Sequence, residues 1–193
     1  LLHGVVQLRN QPLTSEQFLA FAQAIGTPVE YPFVNGITGF PYIIEIKKLE
    51  QERANFGGIW HSDTTYLERP PMATLLLARE VPPYGGDTVF ANQYMAYEAL
   101  SGGLKATLDG LIGVSSSTKA EVSKTREDRL KAASKESKAL AAEHPIVRTH
   151  PETDRKAIFL GDHAQEIERM DYEEGRALIE EVNALITSKE RDY

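Results

Sequence analysis

The sequence contains no cysteine and no long apolar run. Without cysteine the 193 residues offer neither a disulfide nor a thiolate metal ligand, and this absence is typical of a reducing compartment, so we predict a cytoplasmic protein. No stretch of about 18 apolar residues is present, which predicts that the chain does not cross a membrane. No basic segment followed by an apolar block opens the sequence, and no signal peptide is therefore predicted.

Positively charged residues are also fewer than negatively charged ones. The 21 Lys and Arg residues face 28 Asp and Glu residues, which gives a net charge of −7 and argues against a nucleic-acid-binding surface. Hydrophobic residues make up 41% and charged residues 25%, as in ordinary globular proteins. A chain of this length can bury one sizeable core. We therefore predict a single domain over residues 1–193.

Metal-binding side chains occur together at His61 and Asp63. The surrounding residues from Ile59 to Tyr66 are rich in β-formers and lie between glycines and prolines, which predicts a strand. Residues two apart on a strand point to the same face, so the imidazole and the carboxylate would converge. Such a pair provides two of the three ligands of the 2-His-1-carboxylate site that holds non-haem Fe(II). An isolated His-x-Asp is a weak signal, and a strand His beside a solvated Asp is the alternative.

Other stretches supply the context that the tripeptide lacks. The following occur in order over most of the chain: Trp60–Tyr66, Pro70–Pro71, Val81–Phe90, Ala96–Ser101 and His144–Pro151. In residue type and spacing they resemble the taurine dioxygenase family of Fe(II)/2-oxoglutarate-dependent dioxygenases. That family includes alkylsulfate and aryloxyalkanoate dioxygenases.

This resemblance implies a function and a set of site residues. His61 and Asp63 would bind Fe(II), and the hydroxyl of Thr88 would bind the distal carboxylate of 2-oxoglutarate. The expected reaction is hydroxylation of a small organic anion by O2, with release of succinate and CO2. A homo-oligomer is also expected. The fold is expected to be mainly β with flanking helices around a double-stranded β-helix (jelly-roll, cupin-like) core, which the many short strands also favour.

The chain departs from the family pattern in two ligands. The family's second metal His, and an Arg that grips 2-oxoglutarate, belong to a later motif and are expected beyond Tyr193, together with the C-terminal strands. Two protein ligands alone do not make a tight Fe(II) site, so we expect a structure of these residues to hold no iron. The alternative function is a non-catalytic jelly-roll binding module that has lost both residues.

The predicted substrate pocket is aromatic. Taurine dioxygenase has a His in the loop after its first helix and an Asn before the metal strand, whereas this chain has Tyr31 and Phe33 in the loop and Gly57–Gly58 before the motif. The resemblance thus favours a larger or more apolar anion of the sulfonate, alkylsulfate or aryloxyalkanoate type. The residues predicted to contact it are Tyr31, Phe33, Tyr66 and His163.

Local patterns predict the remaining elements. Thr14 and Gln17 have capping-box spacing ahead of a core-facing helix that ends before Gly26. Further helices are predicted at 93–100 and 104–108, and after Asp171 and Glu174, with one apolar side. Strands are predicted at 5–8, 42–46, 73–78, 87–90 and 111–115, and as a hairpin of 146–149 with 156–160. Trp60 is predicted to pack in the core, with pocket lining as the alternative, and His144 and His150 are predicted to be structural.

Residues 118–143 differ from the rest of the chain in composition. Twelve of these 26 residues are charged and none is aromatic. Such segments commonly cross the surface as insertions. We predict a lid over the active site, with a solvated insertion as the alternative. The basic residues that would meet an anionic substrate from this lid are Lys119, Lys124, Arg126 and Arg129.

Overall fold

The computed structural model describes residues 4–53, 57–118 and 139–188. Its helices are α1 (Ser15–Ile25), α2 (Gln93–Glu98), α3 (Gly102–Leu108) and α4 (Tyr172–Ile186). Its strands are β1 (Ile112–Ser116), β2 (Ala141–Pro145), β3 (Val147–Thr149), β4 (Lys156–Ile158) and β5 (Ala164–Ile167). Among these residues, no helix combines the length and the apolar character that a membrane crossing needs.

The strands form two antiparallel sheets. In the first, β1 lies between β2 and β5, and the register places Gly113 opposite His144 on one side and opposite Ile167 on the other. In the second, β3 and β4 form a hairpin in which Arg148 faces Ala157. This hairpin and β1 were predicted from the sequence and are confirmed.

The core lies between the sheets, α2, α3 and one face of α4. Its buried members are Ala96, Leu100, Leu108, Ile146, Ile158, Leu160, Ala164, Ile167, Ile179, Val182 and Ile186. The predicted capping of α4 is confirmed, because the carboxylate of Asp171 accepts hydrogen bonds from the N–H groups of Glu173 and Glu174. The cap fixes where the helix begins and therefore which of its side chains face the core.

The first helix is capped as predicted, but it does not face a core. The Thr14 hydroxyl accepts from the Gln17 N–H at 3.3 Å, and the Gln17 side chain accepts from the Thr14 N–H at 2.9 Å. No residue of α1 is buried, and Phe21 and Ile25 are 41% and 47% exposed. The capping box depends only on local sequence, whereas burial needs a partner surface. Among the described residues, none covers this helix enough to bury it.

Several predicted strands are absent. The segments 5–8, 42–46, 59–66, 73–78 and 87–90 form no strand among the described residues. In 73–90 the apolar side chains are instead largely exposed, with Leu76 at 72% and Tyr84 at 90%. β-propensity reports how a side chain fits a paired, half-buried surface, and a strand exists only where a neighbouring strand pairs with it.

The predicted insertion at 118–143 ends too late. Strand β2 begins at Ala141 and pairs with β1 along its length. Contact begins one residue earlier, where Leu140 and Ser117 exchange hydrogen bonds of 2.9 and 3.0 Å. The charged composition of the segment did not indicate strand β2, because β2 is stabilised by its pairing with β1. Residues 119–138, with the four predicted basic residues of the lid, lie outside the described residues.

Candidate metal centre

His61 and Asp63 meet in a turn. No strand forms from 59 to 66; instead residues 63–66 turn sharply, and Thr64 adopts the left-handed conformation with φ of 52°. The Nε2 atom of His61 lies 3.2 Å from Oδ1 of Asp63. The two side chains therefore converge as expected, but through a different backbone conformation from the predicted one.

Each of these two side chains has a second hydrogen bond that orients it. The Nδ1–H of His61 donates to the carbonyl of Ile59 at 2.7 Å, which turns Nε2 towards Asp63. The hydroxyl of Thr74 donates to Oδ2 of Asp63 at 2.8 Å, which leaves Oδ1 for His61. Partners of this kind fix the tautomer and the direction of metal-binding side chains.

The pair is electrostatically coupled. The hydrogen bond to Asp63 raises the pKa of His61, although partial burial opposes this shift. The same bond lowers the pKa of Asp63, with help from the Thr74 hydroxyl. Both shifts stabilise the charged form of the side chain concerned. A metal ion held by these two side chains would compete with the proton for them.

The turn is attached to the core behind it. The hydroxyl of Ser62 donates at 3.0 Å to the carbonyl of Leu160, two residues after the end of β4. A Cβ on Gly161 would lie only 2.7 Å from the backbone nitrogen of Ser62, so this close approach requires glycine. His144, predicted to be structural, is buried and donates from Nε2 to the carbonyl of Leu67 at 2.9 Å.

The four residues predicted to contact substrate form one row. Ring centroids are 5.9 Å apart for Tyr31 and Phe33, 5.4 Å for Phe33 and Tyr66, and 4.8 Å for Tyr66 and His163. Tyr66 and His163 are only 3% and 4% exposed. Burial lowers the pKa of His163, and its Nδ1 has no hydrogen-bond partner among the described residues. The row is therefore a packed aromatic wall, and its third member, Tyr66, follows Asp63 by three residues in the chain.

Two further sequence predictions concern Trp60 and Thr88. Trp60 is 41% exposed, so the predicted core packing of its ring is wrong. It lies in the turn-forming segment and has no strand position that would direct it inwards. Thr88 lies in the stretch 81–90, in which every residue is exposed, and its contact with 2-oxoglutarate stays a prediction.

The donor pair fits a metal ion in part. Two ligand atoms about 2.1 Å from one ion and about 90° apart are separated by about 3 Å, close to the 3.2 Å observed here. A nitrogen and a carboxylate oxygen also match the donor types of a non-haem iron site. Within the described ranges, however, no group of three or more His, Asp or Glu side chains is arranged to hold a metal ion. His61 and Asp63 thus form a two-ligand half-site.

Sequence reasoning missed the residues that support this half-site. Thr74 is the one polar residue in the apolar run from Ala73 to Ala78, and that isolation was a readable signal. Gly161 directly follows the hairpin, but a glycine there also fits an ordinary turn. Its role depends on the approach of Ser62, which is 99 positions away and has no signature in the local sequence.

Comparison with known proteins finds a matching family and several relatives. A profile described as the taurine catabolism dioxygenase TauD, TfdA family matches residues 1–193. The alkylsulfatase of Acinetobacter baylyi is 34% identical over 168 residues, which cover 83% of this chain and 52% of the relative. The 2,4-dichlorophenoxyacetate dioxygenase of Cupriavidus pinatubonensis, which is α-ketoglutarate-dependent, is 32% identical over 98% of this chain and 71% of its own length.

A solved structure has the same fold. The crystal structure of AAD-2 in complex with Mn(II) and N-oxalylglycine superposes with a TM-score of 0.69 at 31% identity, covering 96% of this chain and 65% of that protein. The chain thus spans about half of the alkylsulfatase and about two thirds of the protein in that crystal structure.

Proposed function

The chain belongs to the taurine catabolism dioxygenase TauD, TfdA family, and on that premise we propose that it carries the metal-binding turn of an Fe(II)- and 2-oxoglutarate-dependent dioxygenase. The observation that carries this proposal is the pair of His61 Nε2 and Asp63 Oδ1, 3.2 Å apart, with a second hydrogen bond on each side chain. Solvated surface pairs are not usually oriented at both ends, whereas metal ligands usually are.

Each named residue has a proposed role. His61 and Asp63 hold Fe(II), with a third His from outside residues 1–193. Thr88 donates its hydroxyl to the distal carboxylate of 2-oxoglutarate. When bound, Fe(II) and 2-oxoglutarate supply an oxidation that consumes O2 and releases succinate and CO2. The contribution of the chain is to orient two ligands, to bind the co-substrate and to provide an apolar wall that excludes water.

We propose a small organic anion with an apolar body as substrate. The aromatic row of Tyr31, Phe33, Tyr66 and His163 supports this class, because its rings run from the buried Tyr66, three residues after Asp63, to the half-buried Phe33 and Tyr31. The alkylsulfatase and the 2,4-dichlorophenoxyacetate dioxygenase described above are named for anions of this kind. An alkylsulfate or aryloxyalkanoate is therefore proposed ahead of taurine, which has no comparable apolar part.

The finer architecture is part of the same proposal. A jelly-roll core would supply partners for the exposed apolar stretch 73–90, which is unpaired among the described residues. The segment 118–143, with its end corrected to the start of β2, is proposed as the lid. A homo-oligomer and a cytoplasmic location stay predictions.

A second function, that of a non-catalytic binding module, has one observation in its favour. The described residues contain only two of the three side chains that a complete iron site needs. Such a module would keep the fold and the aromatic row but would bind a ligand without turning it over.

Succinate formation distinguishes the two functions. The intact protein is incubated with Fe(II), 2-oxoglutarate and a panel of alkylsulfates, aryloxyalkanoates and taurine, beside the variants His61→Ala and Asp63→Ala. We expect turnover stimulated by an alkylsulfate or aryloxyalkanoate, and a loss of at least about 100-fold in each variant, because each removes a metal ligand.

Three outcomes are informative. Turnover that survives in either variant would exclude this pair as the metal site. Turnover with taurine alone would overturn the proposed substrate class but not the reaction. Binding of an anion from the panel without succinate formation, by protein that does not bind Fe(II), would establish the binding-module function.

A further inference from the structure

Thr74 contacts the candidate metal site without being a ligand, and we infer that it is the positioning residue that selects which carboxylate oxygen of Asp63 binds the metal. Its hydroxyl donates to Oδ2 at 2.8 Å, while Oδ1 of the same carboxylate faces His61 Nε2 at 3.2 Å. This inference rests on the proposed function, since it concerns how the proposed ligand is held.

The two oxygens of Asp63 have separate partners. A carboxylate can bind a metal ion through one oxygen or through both, and rotation about the Cβ–Cγ bond exchanges the two. A hydrogen bond to Oδ2 opposes that rotation and uses part of the acceptor capacity of that oxygen, which makes Oδ2 a weaker second donor to a metal ion. Oδ1 therefore stays beside Nε2 and binds as a single donor.

The need for such a partner follows from exposure. The side chain of Asp63 is 55% exposed, so packing does not hold its rotamer, whereas that of His61 is 25% exposed and is also held by the Ile59 carbonyl. The Thr74 hydroxyl thus orients the carboxylate of Asp63, as the carbonyl of Ile59 orients the imidazole of His61. The Ile59 partner is a backbone atom, which leaves Thr74 as the partner that a substitution can remove.

The position of Thr74 in the chain agrees with this role. It is the one polar side chain in the apolar run from Ala73 to Ala78, and it lies 11 residues after Asp63. It is itself exposed, so its hydroxyl is not required to satisfy a buried group. Removing the hydroxyl should change the orientation of Asp63 and leave the fold intact.

Metal affinity tests the inference without any turnover. Mn(II) is titrated into the intact protein and the free ion is followed by electron paramagnetic resonance, and Co(II) binding is followed by its visible spectrum. The variants are Thr74→Val, which keeps the shape but not the hydroxyl, and Thr74→Ser, which keeps the hydroxyl. Thr153→Val in the exposed turn between β3 and β4 is the matched control.

We expect Thr74→Val to weaken Mn(II) binding by about 10- to 100-fold, the usual effect of losing an outer partner of a metal ligand. Its Co(II) spectrum should change as Asp63 becomes free to rotate. Thr74→Ser should bind within about 3-fold of the parent, as should Thr153→Val. Rescue by serine separates a hydroxyl effect from a packing effect.

Two results would overturn the inference. If Thr74→Val binds Mn(II) as tightly as the parent, Asp63 needs no such partner. If Thr74→Ser weakens Mn(II) binding as much as Thr74→Val does, the effect comes from the shape of the side chain and not from its hydroxyl. Failure of the proposed function is distinguishable, because His61→Ala and Asp63→Ala would then bind Mn(II) as tightly as the parent protein. Circular dichroism of every variant confirms that the compared proteins are folded.

Discussion

Gly57 shows how closely the backbone approaches the candidate metal site. Its φ of +68° lies in the left-handed region, and a Cβ there would come within 3.0 Å of Cε1 of His61. A side chain at this position is therefore unfavourable for two separate reasons, because it strains the backbone and because it presses against the imidazole of His61. The two effects can be separated, because Gly39 has a similar φ of +83°, and a Cβ on Gly39 would meet nothing within 4 Å.

We predict that Gly57→Ala weakens metal binding by about 10-fold, since it pushes the His61 ring out of line with Asp63. Gly39→Ala should leave metal binding unchanged. Both variants should lose about 1 kcal/mol of folding stability, because alanine disfavours the left-handed conformation. Mn(II) titration and thermal unfolding of the three proteins measure the two effects. Equal metal affinity in the two variants would show that the contact with His61 does not constrain the ring.

Helices α1 and α4 have similar N-terminal caps but different burial. Thr14 caps α1, of which no residue is buried, whereas Asp171 caps α4, which buries Ile179, Val182 and Ile186. Helical stability in proteins comes mostly from packing of an apolar face. The same loss of a cap should therefore have different consequences in the two helices.

We predict that Asp171→Ala costs about 1 kcal/mol and lowers the melting temperature by about 2–4 °C, because the N–H groups of Glu173 and Glu174 lose their acceptor. Thr14→Ala should move the melting temperature less, since fraying of α1 exposes no buried residue. Calorimetry measures both, and hydrogen exchange at α1 reports the local fraying. An equal fall in both variants would mean that α1 unfolds together with the core.

On the scale of the whole molecule, the candidate site depends on a contact between distant parts of the chain. Ser62 and Leu160 are 98 residues apart and are joined by the hydrogen bond from the Ser62 hydroxyl. Gly161 permits this contact, because a Cβ there would collide with backbone, which does not move as easily as a side-chain end. The two-ligand turn is thereby placed against the end of the β3–β4 hairpin.

We predict that Gly161→Ala destabilises the protein by about 1–3 kcal/mol, the usual cost of overpacking. It should also weaken Mn(II) binding, because the turn that bears His61 and Asp63 must move away. Gly102→Ala is the control, since a Cβ at that position of α3 meets nothing within 4 Å. Thermal unfolding and metal titration give the comparison. A Gly161→Ala variant as stable as the Gly102→Ala variant would show that the turn is not held against the hairpin.

Features that depend on nearby residues could be predicted from the sequence. The caps at Thr14 and Asp171, the helices that they begin, strand β1 and the β3–β4 hairpin all follow from short patterns. The family was also predicted correctly from the order of the sequence motifs. That prediction does not depend on whether the local structure around His61 and Asp63 is a strand or a turn.

Tertiary structure decided the rest. The residues around His61 have strand propensity, but without a pairing partner among the described residues they form a turn, and the turn brings Nε2 and Oδ1 together. The exposure of α1, the pairing of β2, and the supporting roles of Thr74 and Gly161 depend on which distant segments come into contact. Propensity and capping are local free energies, whereas burial, strand pairing and ligand orientation are properties of pairs of segments that the chain must first bring together.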